Sequence, residues 1–260
     1  MKTYLDAILE SHRQIADGDP RRLDQVMEKA RIGGEVRSLA HALKANGLSV
    51  IAEIKKRSPS KGDLNPGLDP ANWSASYERG GAAAISVLTD REFFGGSPRD
   101  LEVARRTVNI PVLRKDFTVC ELDVCDAKIM GADAILLIVA ALDDQELRGF
   151  HELATELGMD CLVETHDEAE VERALDCGAN IIGVNQRDLV TFKVDQERAV
   201  RVGQSLPDNV VKVAESGVSG VESVGPLVQA GYDAVLVGEA LVSSKEPEEA
   251  VRALRAPFVS

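Results

Sequence analysis

Three observations predict an α/β fold, a single (β/α)8 TIM barrel with an N-terminal helical extension. The first is a recurring phrase. Residues 81–88 read Gly-Ala-Ala-Ala-Ile-Ser-Val-Leu, and residues 131–138 read Gly-Ala-Asp-Ala-Ile-Leu-Leu-Ile. The phrase returns as Gly-Ala-Asn-Ile-Ile-Gly-Val-Asn at 178–185 and as Gly-Tyr-Asp-Ala-Val-Leu-Val-Gly at 231–238. An amphipathic stretch such as VERALDCG leads into it. The joint reads as a helix closed by glycine in the left-handed cap position, then a short buried strand. Four copies mark a repeated βα unit. The second observation is spacing. Four more apolar runs, at 50–55, 111–115, 161–164 and 210–215, bring the strands to eight. Their starts are on average roughly 26 residues apart, which suits a βαβ unit and a barrel of about 250 residues. The third is composition: 44% hydrophobic but only 4% aromatic residues, so the core is built from aliphatic layers. A doubly wound open sheet is the rival, but its G-x-G-x-x-G fingerprint is absent.

The 260 residues form one domain, 1–260, with 1–47 as the extension. In the extension, TYLDAILESHRQIA and RLDQVMEKARI have helical patterning and are separated by Gly18-Asp19-Pro20. Trp73 and Tyr77 stand at helical spacing and read as packing residues. The acidic run 246–249 reads as a solvated helix start with Pro247 in its first turn. No apolar run approaches the ~20 residues of a membrane span, and the N-terminus lacks the apolar core of a signal peptide. A cytoplasmic protein is expected. Asp and Glu number 43 against 30 Lys and Arg, a formal net charge of -13. Such a chain repels nucleic acid and anionic membranes, so neither is expected as a partner. Cys120, Cys125, Cys161 and Cys177 lack zinc spacing and read as buried, reduced thiols.

Strand residues alternate between the barrel interior and the helix layer. In strand one, Ala52 and Ile54 face the helices, so Glu53 and Lys55 point inward. Strand three puts Leu113 and Lys115 on one face, and strand five does the same with Leu162 and Glu164. Strand six offers Asn185, and strand seven offers Glu215. Each polar residue lies at the C-terminal end of its strand, where barrel enzymes place their chemistry. Buried charge is costly unless paired, and here lysines and glutamates converge on one mouth. Phosphate is the next signal. Strand seven ends in Glu215-Ser216-Gly217 and strand eight in Gly238-Glu239-Ala240, the turns that commonly cradle phosphate in barrels. The basic, hydroxyl-bearing loop Arg57-Ser58-Pro59-Ser60-Lys61-Gly62 follows strand one and could add donors or close over a ligand. The chain has only four histidines, too few for a histidine-rich metal site. Only His166 lies near a strand end, and it is not expected to touch the ligand.

These segments resemble the indole-3-glycerol-phosphate synthase family of tryptophan biosynthesis over essentially the whole chain. The resemblance rests on Ile51-Ala52-Glu53-Ile54-Lys55 with Ser58-Pro59-Ser60-Lys61-Gly62, and on Val87-Leu88-Thr89-Asp90 with Phe94-Gly95-Gly96-Ser97. Pro111-Val112-Leu113-Arg114-Lys115-Asp116-Phe117, Leu162-Val163-Glu164 and Gly183-Val184-Asn185 with Arg187-Asp188-Leu189 continue it. Ala214-Glu215-Ser216-Gly217 and Val237-Gly238-Glu239 complete it. The resemblance implies a carboxy-lyase acting on 1-(2-carboxyphenylamino)-1-deoxyribulose 5-phosphate, working as a monomer without cofactor or metal. It implies Lys115 as general acid, Glu164 as base, Lys55 on the substrate carboxylate and Glu53 orienting Lys55. Asn185 and Glu215 would hold sugar hydroxyls and developing charge. Arg187 and Phe117 would flank the anthranilate ring, and Phe94 and Leu136 would also bind substrate. Ser58, Ser216, Gly217, Gly238 and the backbone of Glu239 would hold phosphate. Some relatives carry Ser at the Glu239 position, and a carboxylate there should repel the anion. Three other readings stay open: a phosphoribosylanthranilate isomerase, a Schiff-base aldolase using Lys115, and a non-catalytic phosphate-ligand binder. The isomerase would want a cysteine at the end of strand one, where Lys55 stands. A mere binder would need no acid–base set.

Overall fold

The computed structural model describes residues 3–44, 47–188 and 193–258. Leu189 of the motif segment above lies outside them. Eight parallel strands close into a barrel: β1 (Ser49–Ile54), β2 (Ala84–Leu88), β3 (Val112–Lys115), β4 (Ala134–Ile138), β5 (Asp160–Thr165), β6 (Ile181–Asn185), β7 (Val211–Glu215) and β8 (Ala234–Val237). Neighbours pair in chain order, and β1 closes the ring on β8 with Ser49 opposite Ala234. Gly81, Gly131, Gly178 and Gly231 of the repeated phrase have φ of 91°, 89°, 90° and 84°. An L side chain rarely adopts that conformation, which is why glycine recurs at this helix-to-strand joint.

Two apolar layers follow from strand alternation. Val50, Ala52, Ile54, Ile85, Val87, Leu137 and Val163 pack outward against the helices. Ile51, Leu113, Leu136, Leu162, Val213 and Leu236 fill the interior. In the outer shell, α4 (Pro70–Arg79) is capped by Asp69, and its Tyr77 is fully buried beside Trp73. Further on, α12 (Pro247–Arg255) starts with proline in its first turn, where a missing N–H removes no helical bond. All four cysteines are free. Cys125 and Cys161 are buried as expected, whereas Cys120 and Cys177 are only partly so, because they lie at helix ends rather than on inner faces.

Among the described residues the extension has three helices, not two. α1 (Tyr4–Asp17) opens with a capping box between Thr3 and Asp6, and α2 (Leu23–Arg31) follows. The unforeseen one is α3 (Leu39–Leu43), too short for a periodic pattern. Its Leu39 and Leu43 are fully buried and plug the N-terminal end of the barrel interior. α1 crosses the opposite end. His12 Nε2 lies 3.1 Å from Asp90 and Arg13 pairs with Glu146 at 2.7 Å, which fixes the helix over the mouth.

Candidate active site

A cavity of about 610 Å³ opens at the C-terminal ends of the strands. All fifteen residues named from the sequence line it: Glu53, Lys55, Ser58, Phe94, Lys115, Phe117, Leu136, Glu164, Asn185, Arg187, Glu215, Ser216, Gly217, Gly238 and Glu239. At its floor is a lattice of charge. Glu53 is 2% exposed; its carboxylate pairs with Lys55 Nζ at 2.7 Å and accepts from Ser86 Oγ at 3.3 Å. Lys115 Nζ lies 3.3 Å from Glu215 and 3.6 Å from Glu164. Asn185 Nδ2 donates to Glu164 Oε1 at 3.0 Å, and the Arg187 backbone N–H donates to Asn185 Oδ1 at 3.0 Å.

Close quarters set the protonation states. Burial alone would push the Lys115 ammonium down, but Glu215, Glu164 and Glu53 together hold its pKa well above the ordinary lysine value. Burial would likewise raise Glu53 and Glu164. The field of Lys55, then Lys115, lowers Glu53, and Lys115 followed by His166 lowers Glu164. Glu215 goes the other way. Burial first, then the Glu164 charge, pushes it up to about 8. Its neutral form is thereby favoured, which eases the repulsion among the three acids in the desolvated space.

Sterics enforce the lattice. A Cβ on Gly183 would collide with the Glu215 carboxylate, and one on Gly238 would collide with Glu53. Glycine at these two positions makes room for the acids. The walls divide by chemistry. One side is apolar, with Phe94 and Phe117 ring centroids 6.2 Å apart beside Leu136 and Ile138. The other carries the turns after β7 and β8. Ser216 has φ 65° and Gly217 φ 74°, and Gln186 Nε2 donates to the Ser216 carbonyl at 2.7 Å to hold the first turn.

Two readings need correction. The carboxylate of Glu239 does not stand alone beside the turn after β8: it pairs with Lys61, which offsets its charge. The stretch after β1 is not a loose loop but a small hairpin, in which Arg57–Ser58 pairs with Gly62–Asp63. It is anchored by the Arg57 N–H on Phe94 O and by Asn65 Nδ2 on Val242 O. Tyr4, Leu5 and Ile8 of α1 also line the cavity and were missed. The apolar face of that helix was visible in the sequence, but not what it covers. His166 is not among the residues lining the cavity, and its Nε2 lies 3.6 Å from Glu164.

Comparison with known proteins agrees with this geometry. A family model described as "Indole-3-glycerol phosphate synthase" matches residues 5–254. An indole-3-glycerol phosphate synthase of Streptomyces griseus is 48% identical over 251 residues, spanning 96% of this chain and 93% of that one. One of Micrococcus luteus is 48% identical over 265 residues, spanning 98% and 97%. Among solved structures, a 3-hexulose-6-phosphate synthase superposes with a TM-score of 0.64 at 17% identity, covering 82% of this chain and 100% of that one. That last likeness concerns the fold alone.

Proposed function

The chain belongs to the indole-3-glycerol phosphate synthase family, and from that premise we propose how its barrel mouth closes the indole ring. The enzyme is a decarboxylating carbon–carbon lyase. It converts 1-(2-carboxyphenylamino)-1-deoxyribulose 5-phosphate to indole-3-glycerol phosphate, carbon dioxide and water. The observation that carries the mechanism is Lys115 held between Glu164 and Glu215 at the cavity floor.

The substrate phosphate binds at the turns after β7 and β8, through Ser216, Gly217, Gly238 and the Glu239 backbone, with Ser58 from the hairpin. The anthranilate ring lies against Phe94, Phe117 and Leu136, with Arg187 on the polar side. Lys55, oriented by Glu53, faces the substrate carboxylate. Remote phosphate binding can then hold the ring carbon against the ketone. As that carbon–carbon bond forms, Lys115 gives its proton to the ketone oxygen. Carbon dioxide leaves with its bonding pair returned to the ring. The new hydroxyl leaves as water after protonation by Lys55, or by Lys115 once solvent has returned a proton to it, and Glu164 takes the proton released from the ring system. Asn185 and Glu215 hold sugar hydroxyls and the charge that develops between these steps. Acid–base catalysis of this kind contributes about 10²–10⁴-fold.

No described helix is long and apolar enough to cross a membrane. With the acidic charge, that supports a cytoplasmic enzyme without nucleic-acid partners. Incubation of the protein with the carboxyphenylamino ribulose phosphate should produce indole fluorescence with no adduct trapped by borohydride. A trapped Lys115 adduct would replace this reading with Schiff-base chemistry. A crystal soaked in phosphate should show density at the two turns; density elsewhere in the mouth, with those turns empty, would overturn the placement.

A further inference from the structure

We propose that His166 is a positioning residue that keeps Glu164 ionised through the reaction cycle. The inference rests on the assignment of Glu164 as the base. His166 directly follows β5, and its largely covered side chain, 12% exposed, stands beside Glu164. Nδ1 lies 3.0 Å from Glu170 Oε2, and the same oxygen accepts the His166 backbone N–H at 2.7 Å. Glu170 belongs to α8 (Glu168–Asp176), whose N-cap Asp167 accepts the Glu170 N–H at 2.9 Å. The ring orientation is thus fixed from the helix. Nε2 is buried, has no hydrogen-bond partner among the described residues, and points at Glu164 Oε1 from 3.6 Å.

Chemistry decides what that nitrogen carries. With Nδ1–H donated to Glu170, a neutral ring would turn a bare lone pair toward the Glu164 carboxylate. A protonated ring turns N–H toward it. The titratable groups facing His166 are Glu170 from α8, Glu164 from β5 and Glu215 from β7. Those facing Glu164 are Lys115 from β3, His166, and Glu215 from β7. Burial lowers the imidazole pKa, but the Glu170 hydrogen bond and the Glu164 charge more than offset it and raise the pKa overall. At 3.6 Å the contact with Glu164 is a charge interaction rather than a hydrogen bond.

The consequence appears when Lys115 acts. Once Lys115 has given its proton to the ketone oxygen, Glu164 loses one of its two cations at 3.6 Å. Without another positive charge it would draw a proton early and stop being a base. His166 is not among the residues lining the cavity and gives up no proton in the scheme above, so its charge persists through that step. The sequence holds this device as the spacing His166-x-x-x-Glu170, one helical turn, directly after the strand that carries Glu164.

The test is the pH dependence of kcat/KM for the wild type and the His166→Gln, Glu170→Gln and Glu164→Gln variants, with melting curves to confirm folding. Loss of the imidazolium should move the acid limb of His166→Gln up by about one pH unit, about tenfold lower activity on that limb. On the plateau at higher pH the activity should return to within about threefold of wild type, since Glu164 is ionised there in either case. Glu170→Gln should shift the limb in the same direction by less, and it carries the test if His166→Gln does not fold. A loss equal at every pH, or an unmoved acid limb in both variants while Glu164→Gln is inactive, would overturn the role of His166 alone. Substantial turnover by Glu164→Gln would overturn the assignment of the base, and this inference with it.

Discussion

The lower barrel interior and the mouth come from the same strands and the same inward parity. Below stand Ile51, Leu113, Leu162 and Val213, sealed by Leu39 and Leu43 of α3. Two residues further along those strands stand Glu53, Lys115, Glu164 and Glu215. The lower layer stabilises by removing apolar surface from water, at about 25 cal/mol per Å². The upper layer works against stability, since desolvating charge is compensated only by close pairing. An aliphatic mouth of the same shape would fold at least as well. The charged layer is therefore explained by chemistry, and the layer beneath it by the need to hold that chemistry rigid.

The sharpest way to test this division is Lys115→Ala. Turnover should fall by at least ~10²-fold, toward the ~10⁴-fold limit of a lost general acid. The folded state should persist, because neighbouring carboxylates can take up protons once their cation is gone. Near wild-type kcat would remove Lys115 from the mechanism. One layer down, Leu162→Ala should reverse the pattern. It should cost about 2–5 kcal/mol of stability, read by denaturant unfolding. Its kcat under folding conditions should stay within about tenfold of wild type, because coupling to the neighbouring Glu164 is indirect. A loss of turnover as deep as that of Lys115→Ala would mean the two layers are not separable.

The two layers also differed in how legible they were. The lower one needs only apolar residues at alternate positions, so β1, β3, β5 and β7 could be read from the chain to within a residue. The inward parity of Lys115, Glu164 and Glu215 followed from the same alternation. What could not be read was anything set by contact between distant segments. α3 is five residues long and has no periodic signature. The placement of Tyr4 over the mouth depends on the His12–Asp90 and Arg13–Glu146 pairs, whose partners lie 78 and 133 residues apart. Gly183 is needed only because the Glu215 carboxylate, on the next strand, occupies the space of its Cβ. Lys61 and Glu239 meet across 178 residues, so the carboxylate looked unpaired until the fold brought them together. The roles of the mouth residues came from family resemblance, not from periodicity.

Glu215 allows the comparison to be drawn within a single residue. Its pKa lies at about 8 in the folded protein against 4.5 for an ordinary glutamate. Between those values the unfolded chain has released the proton and the folded one retains it. Stability therefore falls as pH rises through that window. Glu215→Gln removes the titration, so its melting temperature should gain on the wild type as pH rises from 5 to 8 by a few degrees, about 2–4 °C for each kcal/mol at this chain length. The same variant should turn over more slowly, because a neutral amide cannot meet the charge that develops between steps as a carboxyl group can. A melting difference that stays constant with pH would show that Glu215 is not held protonated.

The smallest expected effect lies at the rim, where the hairpin after β1 meets the turn after β8. These two regions face the same cavity but are anchored differently. The turn after β8 is fixed by Gly238 packed against Glu53, whereas the hairpin reaches across through Lys61 to Glu239. The Lys61 side chain is 57% exposed and that of Glu239 36%, and pairs this open contribute about 0–1 kcal/mol. A phosphate arriving at the turn can therefore draw Lys61 off Glu239 at little cost. If the hairpin is a lid, it would then close on the ligand and exclude water. On that account Lys61→Ala should change kcat/KM by only a few-fold. Amide exchange across 58–65 should slow when product saturates the wild type. Added viscosity should also lower turnover if lid opening limits it. The opposing account is a rigid hairpin whose bonds from Leu64 and Asn65 to the Lys56 carbonyl already fix its base. Exchange that is unchanged by product would leave that account standing and remove the lid.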